Sequence, residues 1–141
     1  MVGRFPTSRN RMAAWHYDLF LVATGPIDAG ALTQRLTAEF PVLASPSPKL
    51  LLWGSLDGDR VDFWVEHVPL QLLARFDLRS PSDEFRRSIL KLADELSLRL
   101  VNSDDVEVAA TDGALVTELE SSSAAEFVRH PPAVDEDDDD S

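Results

Sequence analysis

The sequence predicts an α+β fold, a two-layer sandwich in which two main helices cover one face of a mostly antiparallel sheet. Three observations carry that expectation. Leu70, Leu72, Ala74, Phe76 and Leu78 alternate with Gln71, Leu73, Arg75, Asp77 and Arg79, the period of two that marks a one-faced strand. Directly afterwards Phe85, Ile89, Leu92, Leu96 and Leu100 recur at steps of three and four. Arg86, Arg87, Lys91, Asp94 and Glu95 lie opposite them, as in an amphipathic helix. The same order, a strand and then a helix, opens the chain between Trp15 and Phe40.

Taken in order, residues 1–13 read as a flexible basic arm with Arg4, Arg9 and Arg11 and no acid. Trp15 to Ala23 is the first strand: Trp15, Tyr17, Leu19, Leu21 and Ala23 share one side, and His16, Asp18, Phe20 and Val22 share the other. Thr24-Gly25-Pro26 breaks it. Asp28 is then placed to cap a helix whose apolar stripe is Leu32, Leu36 and Phe40, ended by Pro41. Ala44 to Pro48 reads as a Ser/Pro loop. A second strand, Lys49 to Leu56, is so rich in leucine that the direction of Trp53 stays open. Asp57-Gly58-Asp59 supplies hairpin turn chemistry. The third strand, Val61 to His67, sets Val61, Phe63 and Val65 against Asp62, Trp64 and Glu66, and Pro69 ends it or marks an edge.

After the strand at Leu70 to Leu78, Ser80 stands as N-cap, Pro81 at the first helical position and Asp83 as the capping-box acid of the second helix. Beyond a polar turn at Asn102 to Asp105, Val106 to Ala110 and Ala114 to Leu119 pattern as a short hairpin around Asp112-Gly113. Ser123-Ala124-Ala125-Glu126 has capping-box spacing for a last helix through Arg129, which Pro131 and Pro132 end. Residues 132–141 form an acidic tail whose composition predicts disorder. The order is thus β-α-β-β-β-α-β(-β)-α, a single domain over residues 14–131, ferredoxin-like with an extra strand.

Composition narrows the function classes. With no cysteine, disulfides, thiolate nucleophiles and Cys-ligated metals are excluded, and a reducing cytoplasm suits the chain. No apolar run reaches the about 20 residues of a membrane span, and none follows the N-terminal arginines as in a secretory signal. A cytoplasmic protein with no membrane partner is expected. The net charge is −12. The arm holds +3 and the tail −6, which leaves −9 between them from nineteen acids and ten bases. Such a surface repels nucleic acid and attracts a basic protein.

Few residues carry a recognisable chemistry. A phosphate loop, a nucleophile elbow, a dinucleotide fingerprint and a zinc motif are all missing, so no cofactor and no metal is expected. His16 and His67 lie on strands that a ferredoxin-like sheet sets side by side, but their phases point them apart, and a metal needs a third ligand. His130 reads as exposed. Asp57, Asp59 and Asp62 flank a tight turn without the remaining ligands of a calcium loop, and Asp104, Asp105 and Glu107 do the same. One surface stands out. If Leu19, Phe63 and Leu72 face the helices, then Phe20, Val22, Asp62, Trp64, Glu66, Leu73, Arg75 and Asp77 decorate the other side of the sheet, with Trp53 as a further candidate anchor. Aromatic residues inside a polar rim are the composition of a protein-binding patch. The same pattern also fits a sheet face partly covered by the C-terminal helix or tail.

The run Ala74-Arg75-Phe76-Asp77-Leu78-Arg79, the amphipathic helix, the short hairpin and Ser122-Ser123-Ala124-Ala125-Glu126-Phe127-Val128-Arg129-His130-Pro131 together resemble small acidic bacterial α+β proteins. Some of these are similar to immunity proteins of polymorphic toxin systems. The likeness spans residues 15–131 in architecture and carries over no functional residue. It implies a stoichiometric binder that blocks a toxin by occupying it.

The leading expectation is therefore a non-enzymatic protein-binding module, an inhibitor or immunity-type protein that occludes a basic partner. Its partner-binding residues would be Phe20, Trp53, Asp62, Trp64, Glu66, Arg75 and Asp77. The first alternative is a small-molecule-binding regulatory domain that forms a homodimer through its sheet. The second is a small enzyme using His16 or His67 with Asp18 or Glu66.

Overall fold

The computed structural model describes residues 15–130; the expected basic arm and acidic tail lie outside the described residues. The chain runs β1 (His16–Ala23), α1 (Ala29–Glu39), β2 (Val42–Ser47), β3 (Leu50–Gly54), β4 (Arg60–Trp64), β5 (Gln71–Asp77), α2 (Asp83–Leu96), β6 (Leu98–Asn102), β7 (Glu107–Val108), α3 (Asp112–Glu120) and α4 (Ser123–Arg129). The seven strands form one sheet in the order β2-β3-β4-β5-β1-β6-β7, every neighbouring pair antiparallel. The fold is α+β, as the patterning predicts, with four helices among the described residues where the expected order has three, two main ones and a last short one.

Local chemistry explains most boundaries. Asp28 accepts a hydrogen bond from the Ala31 amide at 2.8 Å and starts α1 as expected. α2 starts two residues later than the Ser80-Pro81 reading: Ser82 is the cap, accepting from the Phe85 amide at 3.1 Å, and Asp83 and Glu84 occupy the electropositive first turn. Its end differs as well. Ser97 takes the left-handed conformation (φ 54°, ψ 52°) and stops the helix, so Leu100 belongs to β6 rather than to the helical stripe. Leu98 and Leu100 point into the core with the period of a strand.

Two further expectations are corrected. The Ser/Pro stretch read as a loop is edge strand β2, where Pro46 is tolerated because an edge leaves amides free of ladder duty. The expected hairpin around Asp112-Gly113 shrinks to the two-residue β7, and the second half is helix α3, capped by Thr111 accepting from the Ala114 amide at 3.2 Å. α4 begins one residue earlier than its capping-box pattern, with Ser122 as the cap.

Every helix contributes to one core. Leu32 and Leu36 of α1, Phe85, Ile89 and Leu92 of α2, Leu115 and Leu119 of α3 and Ala124 and Ala125 of α4 cluster with Leu19, Leu21, Val61, Phe63, Leu72, Ala74, Phe76 and Leu100 of the sheet. Burying a single Leu, Ile or Phe of this kind contributes about 1.5–3 kcal/mol. α3 is also tied down by a polar contact: the Tyr17 hydroxyl donates to Glu118 Oε2 at 2.5 Å, and Asn102 Nδ2 donates to the same oxygen at 3.0 Å. Burial, followed by that carboxylate, raises the Tyr17 pKa well above the ordinary phenol value.

Candidate functional site

The strand alternation that aims one set of side chains at the helices aims the other set at the far face of the sheet. There the register draws a single line across the whole sheet. Leu43, Leu52, Asp62, Leu73, Phe20, Val101 and Glu107 are successive cross-strand partners, one from each of the seven strands. Leu52, Leu73 and Val101 are buried yet stand outside the helix-side core cluster, so this row is a second, thin apolar layer. Phe20, Val22 and Trp64 are half-buried beside it.

Below the row, Gly54, Arg60, Arg75 and Asp18 face one another across four strands. Two guanidinium groups directly opposite repel each other unless each has its own carboxylate. Both do. Arg60 grips Asp62 through Nε (2.8 Å to Oδ1) and Nη2 (3.1 Å to Oδ2), a bidentate fork. Arg75 Nε donates to Asp18 Oδ1 at 3.0 Å. Asp62 is only 3 % exposed, so burial pushes its pKa up even with Arg60 beside it.

The remaining charges of this face are paired too. Arg79 holds Asp77 at 3.0 Å at the lower end of β5, and its hydrogen bonds outweigh burial, which pushes the other way, leaving Asp77 below the usual carboxylate range. Arg99 meets Glu107 at 3.6 Å; off the face, Lys49 meets Glu66 at 3.3 Å on the turn beyond β4. Asp18, Asp62, Asp77 and Glu107 of the far-face strand positions are thus answered by Arg75, Arg60, Arg79 and Arg99, four charges against four. The other described residues carry fifteen acids and only Arg35, Lys49, Arg86, Arg87, Lys91 and Arg129, so the excess of −9 among the described residues sits on the helix layer and the loops.

Of the residues the sequence singled out, the structure gathers Phe20, Asp62, Trp64, Arg75 and Asp77 on this face, while Glu66 is exposed in the turn after β4 and paired with Lys49. Trp53 does not join them. It is opposite Val61 on the helix side, 2 % exposed, and its indole N–H donates to Thr37 Oγ1 at 3.2 Å. Trp53 is a core residue, not an anchor. Sequence reasoning missed Arg60 as the partner of Asp62, Asp18 as the partner of Arg75, and Leu52 and Val101 as members of the row. Arg60 and Asp62, two apart on one strand, necessarily share a face, and that spacing was the available signal.

The histidines do not meet. β5 runs between β1 and β4, and His67 sits in the turn after β4, with Nδ1 at 2.8 Å from the Pro69 carbonyl oxygen. His16 lies at the lower end of β1 opposite Asp77. Its Nε2 is 3.3 Å from the Asp57 carbonyl oxygen, while Nδ1 is buried without a partner. Burial, then the nearby Arg75 charge, lowers its pKa and favours the neutral ring. Beside it, the Arg79 guanidinium lies 4.2 Å from the centroid of the Trp15 ring. Among the described residues, no group of three or more His, Asp or Glu side chains is placed to hold a metal ion, and no helix is long and apolar enough to cross a membrane.

Comparisons with known proteins find no matching family model, no matching curated protein and no matching solved structure.

Proposed function

We propose that this chain is a non-enzymatic protein-binding module of the inhibitor or immunity type, which docks a basic partner on the far face of its sheet and acts by occlusion. The observation that supports this reading most is the apolar row flanked by half-buried Phe20 and Trp64, inside charges that already have partners. A contact of that kind desolvates aromatic anchors without stripping water from unpaired ions. The excess of −9 on the surrounding layer and loops supports the basic partner, because long-range attraction speeds encounter before the face itself engages. We further read β4-β5-β1-β6 with α1 and α2 as a ferredoxin-like unit, to which the β2–β3 hairpin and β7 are added. A cytoplasmic setting belongs to the same proposal.

The test is capture of the tagged chain with its native partner from its own cells at low salt, run beside Phe20→Ala/Trp64→Ala and beside Glu84→Ala on the helix layer. A basic protein retained by the parent and by Glu84→Ala, but lost with the double variant, is the expected result. Retention that ignores Phe20 and Trp64, or a partner that is acidic, refutes it.

A further inference from the structure

We infer that the cleft between the end of α1 and the start of α2 is the docking site of the chain's own basic N-terminal arm, on the helix side and clear of the face assigned to a partner. The cleft encloses about 310 Å³ over the ring pair of Phe40 and Phe85, whose centroids are 5.6 Å apart. Glu39, Asp59 and Glu84 line it, and no Lys or Arg does. Glu39 is already bonded to Arg35 and Ser88. Asp59 and Glu84 form no ion pair among the described residues. Asp59 accepts from the Asp77 amide at 2.8 Å, and burial still pushes its pKa up. α1 also ends here with no basic residue in its last turn, so its electronegative end is unanswered. The start of α2 supplies only about half a positive charge against these three carboxylates.

Charge and tether select the occupant. Residues 1–13 hold Arg4, Arg9 and Arg11 and no acid, opposite in sign to a body of −9, whereas the tail, at −6, is repelled by it. The arm enters the described body at Trp15, whose carbonyl oxygen accepts from the Leu78 amide at 3.0 Å. That root and the cleft share one end of the sheet, because His16 is opposite Asp77 and Asp77 is bonded to Asp59. β5 and β4 lie between β1 and β3, so the cleft, at the lower ends of β3 and β4, is about 10–14 Å from the root. At about 3.3–3.6 Å per extended residue, Arg11 reaches about 14 Å from Trp15 and Arg9 about 20 Å. Arg9 and Arg11 then answer Asp59 and Glu84, with their aliphatic stems along the Phe40–Phe85 floor. Exposed ion pairs are individually weak, and the tether is what makes them sufficient. It sets a local concentration on the order of millimolar, so the arm holds the cleft against any free basic chain of equal affinity below that level.

The experiment is paramagnetic broadening of amide resonances in the full chain. Because the sequence has no cysteine, Ser8→Cys carries a single nitroxide label beside Arg9. At about 0.05 M salt the amides of Gly54, Ser55, Glu84 and Phe85 are expected to broaden more than those of Phe20 on the far face, or of Val116 and Val128 in the groove beside α3 and α4. The excess is expected to fall several-fold at about 0.5 M salt, with Arg9→Ser/Arg11→Ser, and with Asp59→Asn/Glu84→Gln. The dispersion of the same spectra shows that each variant is folded, and the arm variant leaves the body unaltered. Broadening spread evenly over the body, centred on Val116 and Val128, or unchanged by salt and by both pairs of substitutions overturns the inference. So does equal broadening of isotope-labelled chains mixed with spin-labelled, isotope-free ones, which makes the occupant the arm of a second copy. Partner capture through Phe20 and Trp64 is a separate result, and its failure leaves this one standing.

Discussion

Replacing Asp62 by leucine removes one half of the most buried ion pair on the far face. The two side chains are 4 % and 18 % exposed for Asp62 and Arg60, and two hydrogen bonds join them. Breaking a fully buried pair costs about 3–5 kcal/mol, chiefly because the surviving charge is left without an answer. Arg60 is not fully buried, and its Nη1 already lies 3.4 Å from the Leu56 carbonyl oxygen, so part of that loss is recovered. About 2–3 kcal/mol is the expected cost of Asp62→Leu. Changing both residues, Arg60→Met with Asp62→Leu, leaves no orphan and extends the row between Leu52 and Leu73, so the double variant is expected within about 1 kcal/mol of the parent. Arg60→Met strands the more buried Asp62 and is expected to cost no less than Asp62→Leu, so urea unfolding of parent, both single variants and the double variant closes the cycle with an expected coupling of about 3 kcal/mol or more. If the double variant loses the sum of the two single losses, the charges act independently and the face is not a paired, partly desolvated surface.

Three other outcomes follow from contacts elsewhere. Ser82→Ala is expected to cost about 1 kcal/mol in urea unfolding and Ser80→Ala less than about 0.5, because only Ser82 accepts from the Phe85 amide. Tyr17→Phe, which leaves Glu118 bonded to Asn102 alone, is expected to cost about 1.5–3 kcal/mol and to raise amide exchange in α3 more than in α2. His16 has a folded pKa below its ordinary value of 6.5, so the unfolded chain takes up its proton first. Its contribution to stability is complete above that ordinary value, falls as pH drops through it, and levels off below the folded value. His16→Gln is expected to remove this slope from a plot of unfolding free energy against pH, and an unchanged slope counts against the buried neutral ring.

Much of the layered architecture is written in single-residue periods. Leu72, Ala74 and Phe76 of β5, and Tyr17, Leu19 and Leu21 of β1, fall on the helix side where alternation put them, and Asp28 caps α1 as its spacing indicated. The misreadings arise where two periods coincide. Leu92, Leu96 and Leu100 continue a helical stripe, while Leu98 and Leu100 equally begin a strand; what decides is Ser97 in a left-handed conformation that no glycine or proline announces. Leu115 and Leu119 fit alternation with Thr117 as well as one helical turn, and the Thr111 cap settles for the helix. On the far face, Phe20 and Trp64 were visible from phase alone. The neutrality of that face was not, because Asp18 reaches Arg75 only once β1 and β5 are paired in register.

Oxidative footprinting of the three tryptophans and Phe20, read by mass spectrometry on the dilute chain and again in its captured partner complex, reports directly on whether the far face is open and then covered. Labelling of Trp64 and Phe20 that falls on association, with Trp53 unlabelled throughout, is the result this account requires. Trp64 as resistant as Trp53 in the dilute chain, or equally labelled in every state, contradicts it.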